Sequence, residues 1–199
     1  MPSPVPPPAA GLLLLTGGRG RRLGGPKHLQ PHPAGGTWGG HLVAVFAAVF
    51  PGGPVQLLGE GLPDRPELIP AADPGLGPAV ALRLWAGRPG PRPRRWWLVA
   101  CDQPRWTPDH LRAWHQAVEA ADPSACHWAL ASSGDRIQPL GGFLAGDLVA
   151  PLAAARATSL MGLASALPTL TLVSEGQQWL DVDTPEALRA WLDELPDRS

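Results

Sequence analysis

Apolar and polar positions along this chain follow two periods, and the switches between them mark out strands and helices. Leu12 to Leu15 form an unbroken apolar run, the pattern of a strand buried on both faces of a parallel sheet. In HLVAVFAAVF, residues 41–50, Leu42, Val45, Phe46 and Val49 fall at i, i+3, i+4 and i+7. That spacing predicts an amphipathic helix, stopped by Pro51, Gly52 and Gly53. Val55 to Leu58 reads as a short strand and Glu67 to Pro70 as another; after the turn Asp73-Pro74-Gly75 a helix is expected from Gly77 to Ala86. RPGPRPRR, residues 88–95, reads as a solvated loop, and Trp96 to Cys101 as a second fully apolar strand. Thr107 and Pro108 supply an N-cap and a first-turn proline for a helix that buries Leu111, Trp114, Val118 and Ala121. Strands over 126–131 and 137–144 and Ala-Leu-rich helices over 147–155 and 159–166 follow. Thr169 to Val173 and Trp179 to Val182 read as the last strands, and Thr184-Pro185 opens a helix reaching Glu194.

Strands that alternate with helices imply an α/β fold: a mostly parallel, doubly wound, Rossmann-like sheet with helices on both faces. The 199 residues suffice for one domain over 11–195, and residues 1–10 read as a disordered, Pro-rich lead-in. Charge changes the picture little: 16 Lys and Arg stand against 17 Asp and Glu, so no nucleic-acid-binding surface is expected. Cys101 and Cys126 lie far apart with no C-x-x-C spacing, which indicates reduced, buried thiols rather than a zinc site or a disulfide. No basic stretch precedes the four leucines, and they are too few to span a membrane, so a cytoplasmic chain is expected; a monomer is the default expectation. The 9 tryptophans and 26 prolines read as compositional background, and His28, His32 and His41 as solvated loop residues.

Chemistry concentrates first in TGGRGRRLGGPKH, directly after the leucine strand. Gly17, Gly18 and Gly20 permit positive φ and turn backbone N–H groups inward, while Arg19, Arg21, Arg22 and Lys27 add positive charge, so an anion is expected here. Pro26 stands where a P-loop needs its lysine, and Leu23 where the dinucleotide fingerprint needs its third glycine; both of those loops are excluded. Asp102 follows the WWLVAC strand, at the carboxyl edge where open α/β sheets bind ligands. A functional carboxylate at that edge competes with the plain reading of a turn-forming aspartate. Asp181 and Asp183, two apart on the expected strand, would point the same way, and Asp183 also sits where it can support the Thr184 helix cap.

Leu15-Thr16-Gly17-Gly18, then Arg22-Leu23-Gly24 and Lys27, resembles the N-terminal signature Leu-Ala-Gly-Gly…Arg-Met-Gly-x-x-Lys of the molybdenum cofactor guanylyltransferases, the molybdopterin-guanine dinucleotide biosynthesis protein A family. The CDQP run at Asp102, Asp73 followed by Pro-Gly and Gly-Pro, IQPLGGFL at 137–144, and DVDTP at 181–185 resemble further segments of that nucleotidyltransferase family. The resemblance implies a nucleotidyltransferase-type fold and transfer of GMP from GTP to the phosphate of the molybdopterin cofactor, with a cofactor-delivering protein as a further partner. It implies that Leu15, Thr16, Gly17, Gly18 and Asp73 bind the nucleotide and that Arg22 and Lys27 neutralise phosphate charge. Asp102 would hold Mg²⁺, together with Asp183, and IQPLGGFL would lie near the acceptor pterin. Asp181 and Asp183 stand where the guanylyl branch more often has asparagine and look like the cytidylyl branch, whereas Gly17-Gly18 points to guanine. A related enzyme that uses CTP or another phosphorylated acceptor, and a non-catalytic nucleotide-binding module, are the alternatives.

Overall fold

The computed structural model describes residues 8–18, 20–133 and 135–195; Arg19, one of the expected loop cations, and most of the Pro-rich lead-in lie outside them. Six strands form one sheet: β1 (Ala10–Leu15), β2 (Val55–Leu58), β3 (Arg95–Ala100), β4 (Trp128–Ser133), β5 (Arg136–Ala145) and β6 (Thr169–Val173). Their order is β2-β1-β3-β5-β4-β6. β1 runs parallel to β2 and β3, and β4 parallel to β6, while β5 is antiparallel to both of its neighbours. The helices are α1 (Trp38–Val49), α2 (Pro78–Ala86), α3 (Pro108–Ala121), α4 (Val149–Ala154), α5 (Leu160–Ala166) and α6 (Pro185–Asp193).

Alternate residues of the central strands feed opposite faces, which is why the unbroken leucine run needs helices on both sides. Leu12 and Leu14 pack with Trp97 and Val99 against α1 and α3, through Leu42, Phe46, Leu111 and Val118. Leu13 and Leu15 pack with Trp96 and Leu98 against α2, α4 and α5, through Leu82, Trp85, Leu152 and Leu163. The four leucines are 0–8 % exposed, each worth about 1.5–3 kcal/mol by burial. Helix starts follow the expected chemistry: the hydroxyls of Thr37, Thr107 and Thr184 accept from the N–H three residues on, at 3.0, 3.2 and 3.2 Å. No helix among the described residues is long and apolar enough to cross a membrane.

Several expectations need correction. Glu67 to Pro70 is not a strand: Leu68 N–H turns back on the Arg65 carbonyl and Ile69 is exposed, and only Ala71 bridges to Leu58. Trp179 to Val182 is not one either, since Gln177–Trp179 is a short 3₁₀ turn. Ala10, expected in the lead-in, is buried in β1. The buried stripe of α3 ends at Val118, leaving Ala121 exposed. Cys126 is exposed, not buried. Arg95 is not a loop residue but the fully buried start of β3, bonded to Glu119 and Asp122. All 9 tryptophans are buried in the core.

Candidate functional site

The site forms where β1, β2 and β3 end together at the carboxyl edge. Past Leu15 the Thr16 side chain turns into the protein, 1 % exposed, where its hydroxyl donates to the Glu60 carbonyl at 2.7 Å and accepts from the Glu60 N–H at 2.8 Å. This clamp ties the loop after β1 to the loop after β2. Gly18 and Gly20 take positive φ as expected, but Gly17 does not. Gly17 is required for a different reason: a Cβ there would lie 2.5 Å from Asp73 Oδ2. Asp73 is itself held by accepting from the Gly75 N–H at 2.8 Å. Between these loops lies a cleft of about 560 Å³ lined by Leu15, Gly17, Gly18, Lys27, Glu60, Asp73, Asp102 and Leu140 of β5, among others. Its volume falls within the roughly 300–1,000 Å³ common to small-molecule sites.

One end of the cleft carries the charge. Lys27 Nζ donates to Asp102 Oδ2 at 3.0 Å and to Asp183 Oδ1. Asp183 reaches this point because the Val182 N–H donates to the Asp102 carbonyl at 2.7 Å, holding the C-terminal segment across the end of β3. Asp181 accepts from Gln103 Nε2 at 3.4 Å and from Arg136 at 3.1 Å. Trp179, upstream of the two aspartates, packs edge-on to Trp106 and Trp114 with ring centroids 4.8 and 5.2 Å apart, which anchors the segment in the core.

Two carboxylates, Asp102 and Asp183, thus meet at one lysine, with Asp181 beside them on Gln103 and Arg136. Burial depresses the Lys27 amine, but Asp102 and Asp183 outweigh it and hold its pKa above the ordinary value. The Asp181 carboxyl is pushed up, first by burial and then by the negative charge of Asp102. Asp102 and Asp183, which share Lys27, offer hard carboxylate oxygens of the kind Mg²⁺ takes through one or two side chains together with substrate phosphates.

Leu15, Gly17, Gly18, Lys27, Asp73 and Asp102 therefore converge on one cleft, with Asp183 joined to it through Lys27. Thr16 faces away and acts as a clamp, and Arg22 is exposed in a 3₁₀ turn, outside the cleft lining. Asp181 and Asp183 take different partners, and the segment that carries them lies outside the sheet strands rather than within one. His28 is not solvated: its side chain is 1 % exposed, Nε2 lies 3.6 Å from Glu60, and burial lowers its pKa. Glu60 and Gln103 were missed by the sequence reading. Glu60 had no motif to flag it, whereas Gln103 lies inside CDQP and its neighbourhood was the available signal.

Comparison with known proteins bears on this cleft. Residues 12–170 match the model of the MobA-like NTP transferase domain family. A probable molybdenum cofactor guanylyltransferase of Rhodopirellula baltica is 39 % identical over 98 residues, a stretch covering 42 % of this chain and 44 % of that protein. The chain thus matches less than half the length of this curated relative. Two solved structures share the fold: a Mycobacterium tuberculosis protein in complex with manganese (TM-score 0.64, 21 % identity, 94 % of this chain and 100 % of that one), and molybdopterin-guanine dinucleotide biosynthesis protein A from Archaeoglobus fulgidus (TM-score 0.68, 15 % identity, 90 % and 95 %). The family match spans both the glycine loop and Asp102, the two halves of the cleft, and the chain belongs to the MobA-like NTP transferase domain family.

Proposed function

We propose that this chain is a cytoplasmic molybdenum cofactor guanylyltransferase, joining GMP from GTP to the terminal phosphate of the molybdopterin cofactor and releasing pyrophosphate. The observation that carries the reading is Lys27 bonded to both Asp102 and Asp183 at the charged end of a nucleotide-sized cleft. The name of the Rhodopirellula relative supports the guanylyl assignment. An oxygen of the acceptor phosphate attacks the α-phosphorus, the bond to the bridging oxygen of the β-phosphate breaks, and that oxygen leaves with the electron pair. Little covalent work falls to the protein, so catalysis rests on alignment and charge neutralisation. Leu15, Gly17, Gly18 and Asp73 receive the nucleoside, Lys27 neutralises the α-phosphate, and Arg22 receives the departing pyrophosphate. Asp102, with Asp183, would hold Mg²⁺, whose role is to withdraw charge from the phosphate oxygens. The manganese complex of the mycobacterial structure supports a divalent ion at this fold. A cofactor-delivering protein would present the acceptor.

The aspartates at 181 and 183 favour a second reading, CTP as donor. Thermal unfolding with GTP, CTP, ATP or UTP plus Mg²⁺ separates the two. A nucleotide at a hundred times its Kd adds about 2.7 kcal/mol, or roughly 5–10 °C for a chain of this size. GTP alone is expected to produce it, and a larger shift with CTP would overturn the base assignment.

A further inference from the structure

At the opposite edge of the sheet, where β3 and β4 begin, three chemically reactive side chains gather outside the cleft. Asp122 caps the end of α3 and is buried; Cys126 and His127 follow it in the turn that leads into β4. Cys126 Sγ lies 3.2 Å from His127 Nδ1 and 3.4 Å from Asp122 Oδ1, and His127 Nδ1 lies 3.0 Å from the same Oδ1. A tetrahedral zinc with bonds of about 2.3 Å to sulfur, 2.05 Å to nitrogen and 2.0 Å to oxygen has corresponding edges of about 3.6, 3.5 and 3.3 Å. Each observed separation is within about 0.4 Å of its edge, so little side-chain movement would open the triangle around an ion.

We infer that Asp122, Cys126 and His127 form a zinc site at the amino edge of the sheet, with the fourth position open to solvent. A thiolate, an imidazole and one carboxylate oxygen form a borderline-soft set that suits Zn²⁺ and not Mg²⁺. The second Asp122 oxygen accepts from Arg95 NH1 at 3.0 Å and from the backbone N–H groups of Cys126 and His127 at 3.2 Å each. These bonds orient the carboxylate so that Oδ1, which also accepts from the Cys126 N–H at 3.3 Å, faces the sulfur and the ring, the kind of support that metal ligands need. The proton balance is simple. Zn²⁺ replaces the thiol proton, which goes to solvent, while the imidazole proton resides on Nε2 and frees Nδ1 to bind. The spacing in the sequence hides this site, since Asp122 stands four and five residues before a neighbouring Cys-His pair, outside the usual zinc patterns.

Cobalt titration of the whole chain tests the inference, because a thiolate on Co²⁺ gives an intense near-ultraviolet charge-transfer band that oxygen ligands in the nucleotide cleft do not. The band is expected in the unaltered chain and in Cys101→Ser, to vanish in Cys126→Ser, and to be displaced by one equivalent of Zn²⁺. His127→Ala is expected to weaken Zn²⁺ binding at least tenfold. Absence of the band from the unaltered chain, its survival in Cys126→Ser, or unchanged zinc affinity in His127→Ala would each overturn the site. None of these readouts depends on what the cleft binds.

Discussion

Replacing Arg95 by methionine should destabilise this protein more than any cleft substitution. The guanidinium has no exposed surface; its Nε donates to Glu119 at 2.6 Å and its NH1 to Asp122 at 3.0 Å, and the Asp122 side chain is 2 % exposed. Methionine fills most of the volume, so cavity loss is small. What remains is a buried carboxylate stripped of its cation, and removing one partner of a buried pair typically costs about 3–5 kcal/mol. Against a total stability of about 5–15 kcal/mol that is a large fraction. Burial pushes the Asp122 carboxyl up, but hydrogen bonds from His127, Arg95 and Cys126 prevail and hold it well below the ordinary carboxylate range. Its ionised form therefore stabilises the fold fully above the ordinary value of 3.8, and that contribution is lost as pH falls further. Urea unfolding followed by tryptophan fluorescence at pH 7 measures the loss, since all the tryptophans are buried. Arg95→Met/Asp122→Asn should recover part of it by removing the stranded charge. A loss below about 1 kcal/mol in Arg95→Met, with an unchanged denaturant slope, would refute the account.

Other outcomes are equally open to measurement. Asp102→Asn should stay folded, with an unaltered unfolding midpoint to within a few degrees, yet lose Mg²⁺-dependent release of pyrophosphate from GTP and cofactor; undiminished turnover would remove Asp102 from the metal site. Gly17→Ala places a methyl 2.5 Å from Asp73 Oδ2, so nucleotide affinity should fall at least tenfold, about 1.4 kcal/mol, and unchanged titration calorimetry would contradict the close approach. His28 is buried and His41 half-buried, and burial lowers the pKa of both below the ordinary 6.5. Because the unfolded chain takes up their protons first, stability is full above that value and falls as pH drops through it; urea midpoints that stay flat from pH 8 to 5.5 would refute this.

Local pattern carried the sequence reading a long way, for an identifiable reason. Apolar period and cap chemistry are properties of a few neighbouring residues, so the leucine strand, the helix caps at Thr107 and Thr184, and the glycine loop were all legible. Arg95 was misread because RPGPRPRR resembles a solvated loop in isolation, and only Glu119 and Asp122, folded over it, make a buried cation tolerable. The DVD segment was misread as a strand because alternation is also what an irregular chain shows when one residue of three, Val182, docks into the core.

Taken alone, the sequence determined the α/β class, the two-sided packing of β1, and the presence of a glycine-rich loop after β1 and an edge aspartate after β3. Tertiary structure decided which of these residues meet. Lys27 finds Asp102 across 75 positions and Asp183 across 156, through the parallel pairing of β1 with β3 and one backbone bond from Val182 to Asp102. Periodicity describes only how a residue faces its own element, whereas a charged site depends on distances between elements. Those distances are set by sheet order, by the Thr16–Glu60 clamp and by the tryptophan packing that anchors the C-terminal segment.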